Sequence, residues 1–285
     1  MNQTLEIKST EKGFPQSLLP LSGCPRSIFL RGDPTVVDRR PNVAVVGTRR
    51  MTTYGETVIR RFVPAWSRAG LCIVSGLALG TDAAAHQAAL EAGGLTLAVL
   101  GSGVDSASVT PRTNSRLAER IVSSGGALIS EYPDGAPVQA YHFPARNRIV
   151  AGLSRAVVVI EAPLKSGALI TARFALEYGL EVFAVPGPIT VDTSRGCNWL
   201  ISQGAHPLLE ADDLLLALGL GTAPTAARTS ASDHPLLKLI RHSPATPDEL
   251  MFRSGLDAKH LMVALSELEV AGLVSRTGDR YAATD

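Results

Sequence analysis

Arginine and aromatic side chains stand close together in one stretch of the chain. Phe143 is followed by Arg146, Arg148 and Arg155, and no acidic residue occurs from 141 to 155. Aromatic rings stack on unpaired bases while guanidinium groups hold phosphates, so this mixture is typical of a surface for single-stranded nucleic acid. The same pattern also fits a structural role, with Phe143 in the core and the arginines capping strand ends, and composition alone leaves both open.

Charge is distributed unevenly along the chain. The 285 residues carry a net charge of only +1. Between Arg39 and Arg61, however, six arginines face a single acid, Glu56, whereas residues 231–285 hold six basic and eight acidic residues. Arginine grips phosphate with a planar fork, although 22 arginines against 5 lysines also fits a compositional bias. This segregation predicts an anionic partner for the central region and not for the C-terminal one.

A repeating pattern of apolar runs predicts the strands and helices that would position these side chains. Strand-length runs without polar alternation are expected of strands covered on both faces. The runs are 43–46, 71–74, 95–100, 127–129, 156–160 and 182–185. Helix-length segments separate them, at 55–69, 82–92, 114–124 and 168–178. Alternating strands and helices predict an α/β fold with a Rossmann-like, doubly wound, mostly parallel sheet.

Composition divides the chain into four parts. Residues 1–37 contain four prolines and are predicted to be an irregular segment that packs on the main domain. Residues 38–218 form the Rossmann-like domain, and residues 219–232, rich in Ala, Thr, Gly and Pro, are predicted to be a linker. Residues 233–285 contain three helical patterns and a short hairpin, which is the layout of a small winged-helix-like domain.

The loops that follow the strands are rich in glycine and small residues. Residues 47–50 follow the first run, 75–82 the second and 161–167 the fifth. In an open parallel sheet, ligands bind outside the carboxyl ends of the strands, near the switch in strand order. Accessible backbone N–H groups and the helix N-termini beyond these loops favour anions. We therefore predict a phosphate-binding crevice at this edge of the sheet.

Motifs for enzyme chemistry are absent or weak in the sequence. The next glycine after Gly47 is Gly55, so no G-x-G-x-x-G follows the first strand, and no G-x-x-x-x-G-K-[ST] occurs either. The first absence counts against a dinucleotide cofactor, and the second counts against a nucleotide triphosphatase. Asp82 and His86 share a helix face and could form an acid–base or metal pair, or Asp82 could stabilise the helix start. Since no nucleophile–base pair or metal cluster is recognisable, we predict no catalytic residue, no metal and no cofactor.

The sequence favours a cytoplasmic protein without membrane insertion. No apolar run reaches the roughly 18 residues of a membrane helix, and the N-terminus lacks a secretory pattern. Cys24, Cys72 and Cys197 lie too far apart to suggest a disulfide framework.

The loops and the basic stretch together resemble the bacterial DNA-processing protein A family, known as DprA or Smf. No single piece is diagnostic, but the order and spacing of the pieces are specific. The matching pieces are Gly47-Thr48-Arg49 with Tyr54-Gly55, Ser75-Gly76 with Asp82 and Ala85-His86, Ser130-Glu131, Phe143-Pro144-x-Arg146-Asn147-Arg148-Ile149, Glu161-Ala162 with Ser166-Gly167-x-Leu169-Ile170-Thr171-Ala172, Val185-Pro186-Gly187, and Gly196-Cys197-Asn198.

The resemblance implies a recombination mediator that binds single-stranded DNA and is not an enzyme. Such a protein forms a homodimer, protects incoming single strands and loads the RecA recombinase during natural transformation, in competent cells. Residues 38–218 would be the DNA-binding domain. Gly47, Thr48 and Arg49 would meet phosphate, and Phe143 would stack on a base. The remaining residues of the predicted DNA-binding set are Arg50, Arg146, Asn147, Arg148, Lys165, Ser166 and Gly167.

Two other functions stay open from the residues alone. A nucleotide-processing enzyme, such as a nucleoside-monophosphate phosphoribohydrolase on a similar domain, would use Glu131 or Glu161 in acid–base chemistry. A sequence-specific transcription regulator would read DNA with the third helical pattern of the C-terminal domain, 258–272. That pattern offers only Lys259 and His260 as basic groups. We therefore expect protein contact or a regulatory role for the C-terminal domain.

Overall fold

The computed structural model describes residues 3–39, 41–220, 235–270 and 273–283. They belong to two compact units, which we call the main unit (residues 1–221) and the C-terminal unit (residues 222–285). The predicted linker, 219–232, lies outside the described residues apart from Gly219 and Leu220. Within the described ranges, no helix is long and apolar enough to cross a bilayer.

The main unit is built on one sheet, in which nine strands of the described residues take part. In chain order the strands are β1 Leu5–Lys8, β2 Ser27–Gly32, β3 Asn42–Val46, β4 Cys72–Ser75, β5 Thr96–Leu100, β6 Ala127–Ser130, β7 Ala156–Val159, β8 Glu181–Ala184 and β9 His206–Pro207. Their spatial order is β1-β2-β6-β5-β4-β3-β7-β8-β9, and every pair from β6 to β9 is parallel. The doubly wound parallel sheet predicted from the apolar runs is therefore present.

Helices cover both faces of this sheet. They are α1 Val36–Arg39, α2 Thr53–Arg68, α3 Thr81–Glu91, α4 Ser115–Ser123, α5 His142–Gly152, α6 Gly167–Glu177, α7 Asp192–Ser202 and α8 Ala211–Ala217. Val43 and Val45 of β3 pack with α2, α3 and α8, whereas Ala44 and Val46 pack with α5, α6 and α7. Because both faces are covered, the central strands are apolar at successive positions rather than at alternate ones.

The strand order reverses at β3, which defines the binding edge of the sheet. The chain moves from β3 outward through β4, β5 and β6, and then returns to the other side of β3 with β7. Val46 at the end of β3 pairs with Val159 at the end of β7. The loops that leave these two strands therefore start side by side, which is where an open α/β sheet binds its ligand.

The N-terminal segment departs from the expectation of an irregular chain. Strand β2 pairs antiparallel with β6, and β1 pairs with β2, so residues 5–32 extend the sheet at one edge. Within β2, Ile28, Leu30 and Arg31 are buried, while Ser27, Phe29 and Gly32 are partly exposed. A short strand flanked by Pro25 and Pro34 carries too few alternating positions to stand out in a sequence.

The C-terminal unit combines three helices with a hairpin. The elements are α9 Pro235–His242, α10 Pro247–Ser254, α11 Ala258–Val270, β10 Val274–Thr277 and β11 Arg280–Ala283. A capping box starts α10, because Glu249 N–H donates to Thr246 Oγ1 and Thr246 N–H donates to the Glu249 carboxylate. Leu236, Leu250 and Tyr281 meet in its core. This is the helix-and-hairpin arrangement predicted from the sequence.

Candidate nucleic-acid interface

An open crevice of about 420 Å³ lies at the reversal of strand order, and we call it the switch-point crevice. Loops and helix ends from β3, β4, β7 and α5 line it. The structure brings seven of the predicted site residues to it. They are Gly47, Arg49, Phe143, Arg146, Asn147, Ser166 and Gly167.

Arg49 and Phe143 meet at the rim of this crevice. The guanidinium carbon of Arg49 lies 5.5 Å from the centroid of the Phe143 ring, within the range of a cation–π contact. Arg49 is exposed and Phe143 is half-buried. Residues that are 94 positions apart thus place a cationic fork and an aromatic ring together at one edge.

Backbone hydrogen bonds to Glu161 and Thr81 fix the loop that carries Arg49. Thr48 N–H donates to the carbonyl of Glu161 at 2.7 Å, and the Thr48 carbonyl accepts from Thr81 N–H at 3.2 Å. Thr48 itself is buried and therefore supports the loop rather than lining the crevice. Gly47 has no room for a side chain, since a Cβ there would collide with Thr81 and the Glu161 carbonyl. Arg50, next along the loop, is exposed beside the crevice.

Glu161 holds this loop with its carboxylate as well. The side chain is buried and accepts from Thr52 N–H at 2.8 Å, from Thr52 Oγ1 at 2.7 Å and from Thr193 Oγ1 at 2.9 Å. Thr52 is the N-cap of α2, so the carboxylate anchors a helix start. These bonds leave it badly placed for the acid–base role that the enzyme alternative would require.

The start of α6 forms the opposite wall. Ser166 is the N-cap of this helix and accepts from Ala168 N–H at 3.2 Å. A Cβ on Gly167 would meet only open space, so a ligand can approach the backbone closely there. Asn147 donates to the Gly167 carbonyl at 3.1 Å and links α5 to this wall. An open helix N-terminus of this kind suits a phosphate, because the helix dipole favours negative charge there.

Arg146 lines the crevice, but its guanidinium points into the protein. It is buried, and its Nη1 donates to the carbonyls of Gly76, at 2.7 Å, and of Val99. Burial lowers the pKa of the Arg146 guanidinium, and the carboxylate of Asp82 acts against that shift. The expected phosphate contact of Arg146 is therefore corrected to a role inside the wall of the crevice.

Arg148 does not reach the switch-point crevice. Its Nη2 forms an ion pair with Glu131 at 2.6 Å, its Nε donates to Gly23 and its Nη1 donates to Ala145, both at 2.9 Å. The helix explains this correction, because residues two apart in a helix point about 200° from each other. Since Arg146 faces the crevice wall, Arg148 must face the N-terminal segment. The pair with Arg148 also occupies Glu131, the second acid of the enzyme alternative.

Lys165 lies in a neighbouring cavity of about 540 Å³, which we call the α6–α7 cavity. Ser166 and Gly167 line both cavities, while Lys165 and Trp199 line only the second. Lys165 is therefore adjacent to the switch-point crevice and not in it.

The floor of the crevice contains a buried acid that sequence analysis had left between two interpretations. Asp82 accepts from Gly76 N–H at 3.2 Å and from Ala78 N–H at 3.3 Å, and so fixes the loop after β4. Leu77 in that loop has a φ of 58°, which costs a non-glycine residue conformational energy. Burial raises the pKa of Asp82, and Arg146 and these N–H groups oppose the shift. His86 bonds to Thr96 instead of Asp82, so the two do not act as a pair.

Comparison with known proteins accounts for nearly the whole chain. A sequence model described as DNA recombination-mediator protein A matches residues 6–219. The chain belongs to the DNA recombination-mediator protein A family. A model described as the DprA winged helix domain matches residues 220–280. The match to the first model includes every residue that lines the switch-point crevice.

Curated members of this family include proteins named Smf and DprA. Protein Smf of Escherichia coli (strain K12) is 40% identical over 287 residues, covering 96% of this chain and 76% of the relative. DNA processing protein DprA of Streptococcus pneumoniae is 42% identical over 202 residues, covering 71% of this chain and 70% of the relative. The resemblance inferred from the sequence is thereby confirmed.

Solved structures of the family have the same fold. The X-ray structure of DprA from Streptococcus pneumoniae matches with a TM-score of 0.69 and 39% identity, covering 75% of this chain and 74% of that one. A structure of DNA processing protein A from Helicobacter pylori matches with a TM-score of 0.68 and 29% identity, covering 76% of this chain and 95% of that one. The latter work describes the single-stranded DNA binding mode of the Helicobacter protein. The predicted fold class, Rossmann-like with a winged helix domain, is confirmed.

Proposed function

We propose that this chain binds single-stranded DNA in the switch-point crevice and acts as a recombination mediator that breaks and forms no covalent bond. One observation carries the proposal: Arg49 lies over Phe143 at the open rim of the edge where this sheet type binds ligands. Membership of the family supports it. In the cell, the protein would be cytoplasmic, protect incoming single strands and load RecA during natural transformation.

The crevice offers one group for each part of a nucleotide. Arg49 and Arg50 supply exposed guanidinium groups for phosphate, and the α6 start at Ser166 and Gly167 supplies backbone N–H groups for another. Phe143 supplies the ring on which a base stacks. Phosphate contacts and stacking are both indifferent to base identity, so binding is expected to tolerate any sequence and to weaken with salt.

We also propose that the protein forms a homodimer through the apolar surface around the α6–α7 cavity. Leu164, Ile170, Leu176 and Trp199 are large apolar side chains that are 37–58% exposed in or beside this cavity. A second copy of the chain is the simplest partner to cover such a patch. Light scattering of wild type and Trp199→Glu tests this, with a monomer expected for the variant.

The decisive experiment is fluorescence anisotropy with labelled oligo-dT and with a duplex of equal length, across a salt series. We expect tighter binding to the single strand, and a salt slope that falls by about 0.7 in Arg49→Ala, since one phosphate contact is lost. Phe143→Ala should weaken binding by about 1–3 kcal/mol, the contribution of one stacked base. Lys259→Ala and Phe252→Ala in the C-terminal unit are matched controls that should leave binding unchanged.

The same measurements can contradict the proposal. Equal affinity of wild type and both main-unit variants would remove the crevice as the binding site. Preference for the duplex would contradict single-strand recognition itself.

A further inference from the structure

Tyr141 is an exposed aromatic residue directly beside the switch-point crevice. Its side chain is 67% exposed, against an intermediate exposure for Phe143. The preceding residue, Ala140, lines the crevice together with Phe143. The Tyr141 ring is thus attached one residue away from the wall on which a DNA strand is proposed to lie.

The ring of Tyr141 is held in place by a small aromatic stack. It meets the His142 ring edge to face, with centroids 4.6 Å apart and planes at 90°. His142 is in turn stacked on Tyr132, with centroids 3.7 Å apart and planes 14° apart. His142 is buried, and its Nδ1 lies 3.2 Å from the Gly101 carbonyl. An exposed ring supported in this way loses little freedom when a ligand binds to it, which favours binding.

The charges around the stack do not oppose a polynucleotide. Glu131 directly precedes Tyr132 in the chain. The Glu131 carboxylate forms an ion pair with Arg148 at 2.6 Å. On the other side, Arg49 and Phe143 form the rim. Residues 135–140, between Asp134 and Tyr141, contain no acid, so a strand that left the crevice past Ala140 would find no negative charge on this segment.

We propose that Tyr141 is a second base-stacking platform, which takes the base of a nucleotide adjacent to the one on Phe143. This inference rests on the proposed function and extends it, because it lengthens the bound strand at the Ala140 end of the crevice. The ligand is any unpaired base, since stacking uses the π-face that all bases share.

Binding of oligo-dT across a salt series separates Tyr141 from the arginines. Tyr141→Ala should bind about five- to tenfold more weakly at every salt concentration, with an unchanged salt slope, because a ring and not a charge is lost. Tyr141→Phe keeps the ring and should bind like wild type. Phe252→Ala, which removes a 92% exposed ring from the C-terminal unit, should have no effect.

A strand with single abasic positions then locates the contact. We expect wild type to be sensitive to abasic sites at two neighbouring positions, and Tyr141→Ala to lose the sensitivity at one of them only. If Tyr141→Ala binds like wild type while Phe143→Ala is weakened, the platform is wrong and the proposed function stands. If Phe143→Ala also binds like wild type, the proposed function fails and the platform fails with it.

Discussion

The switch-point crevice of the main unit lies where open α/β sheets bind their ligands, and helix α11 of the C-terminal unit lies where a winged helix commonly binds DNA. The crevice presents an exposed Arg49 beside an aromatic ring. Helix α11 presents Met262 and Val263, about half exposed, and its His260 is paired with Asp257 at 2.8 Å. One unit therefore offers a guanidinium group beside an aromatic ring, and the other offers exposed apolar side chains.

The chemistry of a surface, and not the name of its fold, identifies a binding site. A winged helix that reads a DNA groove needs basic side chains on its third helix. Since α11 has apolar side chains at exposed positions, it fits the expected protein contact or regulatory role better than groove binding. Matched substitutions in the two units test this difference.

The largest predicted effect is a loss of stability of the main unit in acid, caused by His86. The Thr96 hydroxyl donates to the Ile73 carbonyl at 2.6 Å, so it accepts from His86 Nδ1–H, also at 2.6 Å. His86 Nε2 is buried and has no partner among the described residues. Burial, helped by the charge of Arg146, lowers the pKa of His86 from 6.5 to about 3. Between about pH 6.5 and pH 3, His86 is therefore protonated in the unfolded chain and neutral in the folded chain.

The sign of the pH effect follows from that lowered pKa. The stability that His86 contributes is complete above about pH 6.5 and is lost as the pH falls towards 3, at about 1.4 kcal/mol per unit and roughly 5 kcal/mol in all. Urea unfolding followed by tryptophan fluorescence reports the main unit alone, because Trp66 and Trp199 are the two tryptophans of the chain. The free energy of unfolding of His86→Gln should depend less steeply on pH, while His260→Gln should follow wild type. Parallel curves for wild type and His86→Gln would contradict this account.

Removal of a helix-anchoring glutamate should have the next largest effect. Glu161→Ala leaves Thr52 N–H and the hydroxyls of Thr52 and Thr193 without their buried acceptor, at a cost of about 3 kcal/mol of stability. Binding of oligo-dT should weaken as well, since the loop of Arg49 loses its support. Glu249→Ala removes the capping box of α10 and should cost about 1 kcal/mol without affecting DNA binding.

Calorimetry of the full chain measures both stabilities, and anisotropy measures the binding. Equal destabilisation by the two substitutions would mean that the hydrogen bonds of Glu161 are worth no more than those of an exposed cap. Full binding by folded Glu161→Ala would show that the loop of Arg49 needs no such anchor.

The sequence was most informative about the strands of the main sheet. The run 43–46 became β3 at Asn42–Val46, and the run 156–160 became β7 at Ala156–Val159. These strands are buried on both faces, so their apolar runs are continuous and visible. Helix α5 was not predicted, because Pro144 and the polar residues after it interrupt the pattern, although proline is accepted in a first helical turn.

Because α5 was not predicted, the directions of Arg146 and Arg148 could not be predicted either. Topology alone was enough to bring the loops of Gly47 and Ser166 together, since parallel strands end at one edge. Which arginine faces the crevice depends on the phase of α5, and a run of basic residues does not encode that phase. The available signal was that Arg146 lies three and four positions before the apolar residues Ile149 and Val150, which places it on the buried face of a helix.

The smallest expected effect on DNA binding belongs to Arg148, which the sequence had grouped with the phosphate-binding arginines. All three of its guanidinium nitrogens are engaged, by Gly23, Ala145 and Glu131. Arg148→Ala should therefore lower stability by about 1–2 kcal/mol, as one charged hydrogen-bond network is lost, and should leave affinity and salt slope for oligo-dT unchanged. Arg49→Ala, measured beside it, should lower the slope. If the two variants lower the slope equally, Arg148 leaves Glu131 for phosphate when DNA binds, and the crevice would then extend beyond the wall that Arg146 forms.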